Sequence, residues 1–333
     1  MKLAALSCAA AAGLLIGCGS NEQPPPAPEP AASPALTHRP AGCIVEVGTQ
    51  PEGVAADPRS GLVAVAVRDP ALLVLIDGAS GRVVRRVPLP AAARHLQVSD
   101  RGRLLVPAEE ANVLIQVPLG AAGRELTTPV GEFPHDAAAA AGLALVANER
   151  ADTVTIVEDG RAARTLEAPP GPGGVAAAGG DLFAVVGVGA RRLALYDAGV
   201  GRQVGEAPAG VGSTHVVASA GLAYVADTEG DAILVYRLRP RLELADRVEL
   251  PGAPYGIALD RRRRRLWVTL TGRNELIRLD LAAGGPRREA SFPTLRQPNS
   301  VTVDERTGSV YVAGRVGSQL QILDGGMCRQ PAG

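Results

Sequence analysis

The chain has 333 residues, with 34 basic and 34 acidic side chains, 46% hydrophobic residues and only 3% aromatic ones. The zero charge balance excludes a general attraction to nucleic acid, and a single tryptophan argues against a cofactor held by aromatic stacking. No Gly-x-Ser-x-Gly, Cys-x-x-Cys or His-Glu-x-x-His motif is present to name a reaction.

Residues 1–17 read as a signal peptide: Met1-Lys2 precedes an apolar run from Leu3 to Ile16, too short to span a bilayer and right for a leader. The run ends Leu15-Ile16-Gly17-Cys18, which resembles a bacterial lipobox and implies acylation of Cys18. The expected location is the cell envelope, lipid-anchored to a membrane and facing the periplasm or exterior. Residues 18–42 are mostly Pro, Ala, Ser and Glu, with too little apolar surface to fold alone. Polyproline stiffness predicts a semi-rigid stalk reaching up to ~70 Å.

From residue 50 a unit recurs seven times: an inner strand, a tight turn, a second strand with small residues near its end, a polar loop and a third strand. Its anchors are Gly53, His95, Asp136, Gly174, His215, Gly256 and Ser300, a spacing near forty residues. Second strands read LVAVA from Leu62, LALVAN from Leu143, LAYVAD from Leu222, LWVTL from Leu266 and VYVAG from Val310. Asn112, Asp152, Asp231 and Asn274 stand just before third strands, where a hairpin needs a residue tolerant of positive φ. A period near forty built of strands predicts an all-β, seven-bladed propeller over residues 43–328, with 329–333 as a tail.

The ends of the repeat predict how the ring closes. The seventh unit stops after its third strand, and Ile44 to Val47 is a strand without a preceding blade. Antiparallel pairing of that strand with Gln319 to Leu323 would complete the last blade and leave no open edge. It would also bring Cys43 near Cys328; in an oxidising compartment a bridge there, closing almost the whole domain, is worth about 4 to 5 kcal/mol.

Tyr224-Val225-Ala226-Asp227, Tyr311-Val312-Ala313-Gly314, Leu145-Val146-Ala147-Asn148 and Trp267-Val268-Thr269-Leu270 resemble the YVTN repeat of bacterial and archaeal surface propellers. The flanking Pro51-Glu52-Gly53-Val54-Ala55 and Pro254-Tyr255-Gly256-Ile257-Ala258 are similar too. The resemblance covers the whole repeat region. It implies an extracytoplasmic binding protein and supplies no fixed catalytic residues. Neighbouring propeller families, among them gluconolactonase-like enzymes, the streptogramin lyase and the peptide-amidating lyase, hold a metal near the channel mouth.

Candidate site residues follow from strand register, because inner strands begin at the face where propellers bind ligands. The pairs at these entries are Glu52/Gly53, Arg94/His95, His135/Asp136, Gly173/Gly174, Thr214/His215, Tyr255/Gly256 and Asn299/Ser300. They include every histidine of the repeat region; His38 lies in the stalk. His95, His135 and His215 are therefore candidate ligands for one divalent metal ion, or else caps that bond loop carbonyls. Glu52, Arg94, Asp136, Tyr255 and Asn299 are candidate ligand-binding residues. Of the nearby loop acids Glu109, Glu110, Glu149, Asp227 and Glu229, Glu149 is the candidate general base. The run Arg261 to Arg265 falls on the opposite end and reads as a solvated hairpin tip. The expectation is a binding module for a protein, peptide or glycan; the alternative is a metal-dependent lyase or lactonase.

Overall fold

The computed structural model describes residues 27–120, 123–282 and 285–323. Cys18, Cys328, the leader and the tail lie outside them. Seven four-stranded antiparallel sheets form among the described residues, six of them contiguous in sequence. Their inner strands are Thr49–Asp57, Gln97–Val98, Pro134–Ala140, Pro172–Gly179, Ser213–Ser219, Pro254–Asp260 and Pro298–Val303, in blades 1 to 7. Asn112, Asp152, Asp231 and Asn274 all adopt φ between 50° and 54°, so the third strands are entered through left-handed residues as the turn chemistry requires.

The seventh sheet is closed from the other end of the chain. Strand Cys43–Glu46 pairs antiparallel with Gln319–Leu323, placing Cys43 opposite Ile322 and Glu46 opposite Gln319. Val47 then donates its amide to Ser318 and buries its side chain among Val65, Val67, Tyr311 and Leu320.

Apolar clusters fill the spaces between adjacent blades, because each sheet is apolar on both faces and exposes only its outer strand. The outer strand Arg161–Glu167 has no buried residue, whereas the second strand Leu182–Gly187 is buried throughout. Three fully buried tyrosines staple blades by reaching a neighbour's backbone: Tyr196 Oη donates to Glu167 O (2.8 Å), Tyr236 to Pro208 O (2.6 Å) and Tyr311 to Gly78 O (3.1 Å). At the centre the inner strands approach so closely that a Cβ on Gly53 would lie 2.8 Å from Arg94 O, and one on Gly256 the same distance from Asn299 O. Two of the seven anchors are thus glycine for want of space.

The expected stalk is only partly a spacer. Residues 27–35 lie across the mouth face of the propeller, from blades 6 and 7 towards blades 4 and 5. Ser33 is buried, with its hydroxyl donating to Thr271 O (2.6 Å), and Ala27 packs on the cluster between blades 4 and 5. Composition had pointed to a solvated segment because the strap is held by main-chain bonds, which do not depend on large apolar side chains. At the opposite face Arg261 pairs with Glu305 (2.8 Å) and Arg263 with Asp260 (3.2 Å), an ion-paired hairpin tip.

Candidate functional site: a histidine cluster under an ionic mouth

Inner-strand register brings the three histidines together at the axis. His95 lies two residues before the short strand Gln97–Val98, His135 is the second residue of its strand and His215 the third of its own. His95 Nε2 stands 3.1 Å from His135 Nε2 and 3.3 Å from His215 Nε2, with ring centroids 4.8 and 4.7 Å apart. The Tyr255 ring abuts His215 edge-on at 4.4 Å.

The outer nitrogens fix which atoms point inward. His135 Nδ1 faces Glu149 Oε2 at 2.9 Å, so it carries the proton and leaves Nε2 as a lone pair. His135 Nε2 and His215 Nε2 both converge on His95 Nε2. A cation at the same point would meet three lone pairs, and Glu149 behind His135 is the carboxylate partner that metal-ligating imidazoles commonly have. Among the described residues, however, no group of three or more His, Cys, Asp or Glu side chains encloses a metal position as it stands.

Burial keeps His95 and His215 neutral. It pushes His215 down to about 3, helped by the nearby His135 and Arg94, and holds His95 well below the ordinary range, helped by His215, His135 and Arg94. Glu149 is pulled the other way: burial raises it, but the His135 hydrogen bond and the charges of His135, Arg94 and Arg150 outweigh that and leave it below the usual carboxylate range.

Around this floor the mouth is ionic. Glu52 and Glu109 are almost completely buried; Arg68 and Arg94 bridge them, and Arg315 pairs with Glu52 alone. Arg68 reaches Glu52 (3.0 Å) and Glu109 (3.1 Å), Arg94 Nε lies 3.3 Å from Glu109, and Arg315 is 3.6 Å from Glu52. The arginine side chains stay 20–36% exposed. Burial lowers Arg94, yet the Glu52 and Glu109 charges outweigh it and hold the side chain firmly cationic. Burial also raises the Tyr255 phenol, despite Arg94, so it remains a neutral donor.

The predicted residues divide between two levels. Glu52, Arg94, Tyr255 and the three histidines form the mouth and its floor; Asn299 sits beside them, accepting from Gln297 Nε2 (3.2 Å). Asp136 does not face the mouth. Its oxygens accept from Ala137 N (2.8 Å), Val175 N (2.9 Å) of blade 4 and Gln97 Nε2 (3.1 Å) of blade 2, a clamp between blades that register alone does not distinguish from a rim residue. Asp227 is likewise a loop clamp, accepting from Gly212 N at 2.7 Å. Strand register did not single out Arg68 and Arg315; Arg68 is the penultimate residue of the second strand Leu62–Asp69, and Arg315 directly follows the second strand Val310–Gly314. Below the histidines the channel, about 420 Å³, is lined by Val54, Val98, Val175 and Ile257 and opens to the other face beside Arg59 and Arg261.

No family model matches the chain, and no curated protein does. Among solved structures it is similar to virginiamycin B lyase from Staphylococcus aureus at 16% identity and a TM-score of 0.70, over 85% of this chain and 99% of that one. It is also similar to a chain of Kuenenia stuttgartiensis hydrazine synthase (14%, 0.70, over 87% and 99%). A chain of the mitotic checkpoint complex is similar at 12% identity and 0.72, over 89% of this chain and 96% of that one. Functions this different on one architecture mean that the likeness carries the fold alone.

Proposed function

We propose that this protein is a lipid-anchored extracytoplasmic propeller of the YVTN type, tethered through Cys18, that binds a protein, peptide or glycan at its mouth face. A Cys43–Cys328 bridge beside the closing strand belongs to the same reading, supported by Cys43 opening that strand opposite Ile322. The observation that carries the proposal is the mouth network: two buried carboxylates hold Arg68, Arg94 and Arg315 in place while 20–36% of each arginine side chain stays exposed to a ligand. Such preorganised donors suit carboxylates, carbonyls and sugar hydroxyls, because little side-chain entropy remains to be lost on binding.

The test uses a Cys18→Ala chain, expected to leave the detergent phase into which the parent chain partitions, on peptide and glycan arrays. Binding should fall at least about 10-fold with Arg94→Ala, a buried charge-assisted contact, and stay unchanged with Arg261→Ala on the far face. Absence of any Arg94-dependent binding would sink the reading.

A second reading rests on the three converging Nε2 atoms. In it His95, His135 and His215 hold one divalent ion, Glu149 orients His135, and the chemistry is that of a lyase or lactonase; the likeness to a lyase is compatible with it. A bound ion would supply Lewis acidity, while Glu149 and Tyr255 are the residues placed to hold a proton nearby. Incubation with zinc should then leave close to one equivalent bound, and loss of any one histidine to Ala should release most of it, since two nitrogens remain. Free histidines near 6.5 would shed the metal on mild acidification. Protonation of the imidazoles competes with the ion, so bound metal should fall as the pH drops below about 6. Failure to take up zinc, calcium or manganese leaves the binding reading alone.

A further inference from the structure

The strap over the mouth is bound as a peptide is bound. Ser33 N donates to Gln297 Oε1 (3.0 Å), and Gln297 N donates back to Ser33 Oγ (3.0 Å). Gln297 Nε2 donates to Ala31 O (2.9 Å), Asn274 Nδ2 to Pro34 O (2.9 Å) and Arg296 to Ser33 O (3.3 Å). Most of these bonds read main-chain groups, so they demand an extended backbone rather than particular side chains. The exception is the site of Ser33, 8% exposed, which admits only a small residue whose hydroxyl can reach Thr271 O.

Prolines at 28, 30 and 34 fit this mode. They hold the chain extended before it docks and bring no amide that would need a partner. Four residues upstream of Ser33, Glu29 is close enough to Arg94 and Tyr255 to contribute to the charge each experiences. Beside the strap a groove of about 640 Å³ remains, bounded by Glu29, Pro30 and Ala32 on one side and Asn299, Arg315 and Ser318 on the other.

We propose that the site on which the strap docks is a receptor for extended Pro- and Ala-rich peptides carrying a small hydroxyl residue with an acid four positions before it, and that the chain's own strap is an intramolecular competitor for it. The proposal rests on the mouth-face binding reading and names its partner class. Release of the strap leaves the ring intact: closure is made separately, by strand Cys43–Glu46 and by the Ala41 bonds to Pro293 O and from Gln321. Six short polar contacts around one buried serine are few enough for a partner to displace, yet tethering gives the strap a high effective concentration.

The experiment measures fluorescence anisotropy of a labelled peptide with the sequence of residues 27–36 against the full chain. Ser33→Arg in the protein cannot fit the site and should release the strap, seen as rapid elastase cleavage after Ala31 or Ala35. That protein should bind the peptide at least about 10-fold more tightly than the parent does, because the competitor is gone. A peptide carrying arginine in place of its serine should not bind, and Gln297→Ala in the same background should abolish binding. The proposal falls if Ser33→Arg leaves the strap resistant to elastase, or if the released protein binds the peptide no better than the parent. Arg94-dependent glycan binding on the arrays, with no peptide binding here, would overturn this inference while leaving the mouth-binding function standing.

Discussion

Deleting residues 43 to 48 should lower the melting temperature by roughly 10 °C or more, the largest effect expected of any short deletion in this chain. The segment supplies the outer strand of blade 7, paired along Gln319–Leu323, and Val47, which is 1% exposed. Burying one valine is worth about 1.5 to 3 kcal/mol, and each lost ladder bond adds about 1. The freed edge of Gln319–Leu323 would also be open to pairing with other chains. Removing only residues 27 to 35 takes away the contacts around Ser33 and should cost about 1 to 3 kcal/mol, a few degrees. Calorimetry of the two deletions side by side decides the point: equal shifts would mean that closure does not depend on the N-terminal strand.

Asp136→Ala should be the most damaging single substitution near the axis. It strands the buried amides of Ala137 and Val175 and leaves Gln97 with only its bond to Val175 O. Unmade bonds of this kind cost about 1 to 3 kcal/mol each, so a total of about 3 to 5 is expected. The pH dependence carries a sign of its own. Burial pushes Asp136 up to about 7, against the pull of its hydrogen bonds to Val175 and Ala137, from an ordinary value of 3.8. A carboxyl raised in this way takes up a proton on folding. Its favourable contribution is full below about 4 and is lost as the pH rises through about 7. Asp136→Asn should therefore flatten the stability profile between these values. Denaturant titrations at pH 4.5, 6 and 7.5 that show parallel profiles for parent and Asn variant would refute this assignment.

Much of the architecture was legible because it is written in periodic, local terms. Asn112, Asp152, Asp231 and Asn274 announce left-handed turns by residue type, and the unmatched strand at Ile44 announces the closing partner by arithmetic. Register also brought His95, His135 and His215 to one level. It did not specify which way a side chain turns at that level, so Asp136 read as a rim residue although blade 4's Val175 amide draws it sideways. The strap was illegible for another reason: its hold on the propeller is main-chain hydrogen bonding around one serine, and composition records side chains. Arg68 and Arg315 become meaningful only once Glu52 and Glu109 are seen to be buried between them.

The docked strap also decides how a tethered molecule bears tension. If Cys18 is anchored in a bilayer and a large ligand drags on the propeller, tension passing along the strap meets the bonds around Ser33 before strand Cys43–Glu46. Those can yield and pay out slack before any load reaches Cys43–Glu46, the strand on which the ring depends. The strap is thus a mechanical fuse placed in series ahead of the seal.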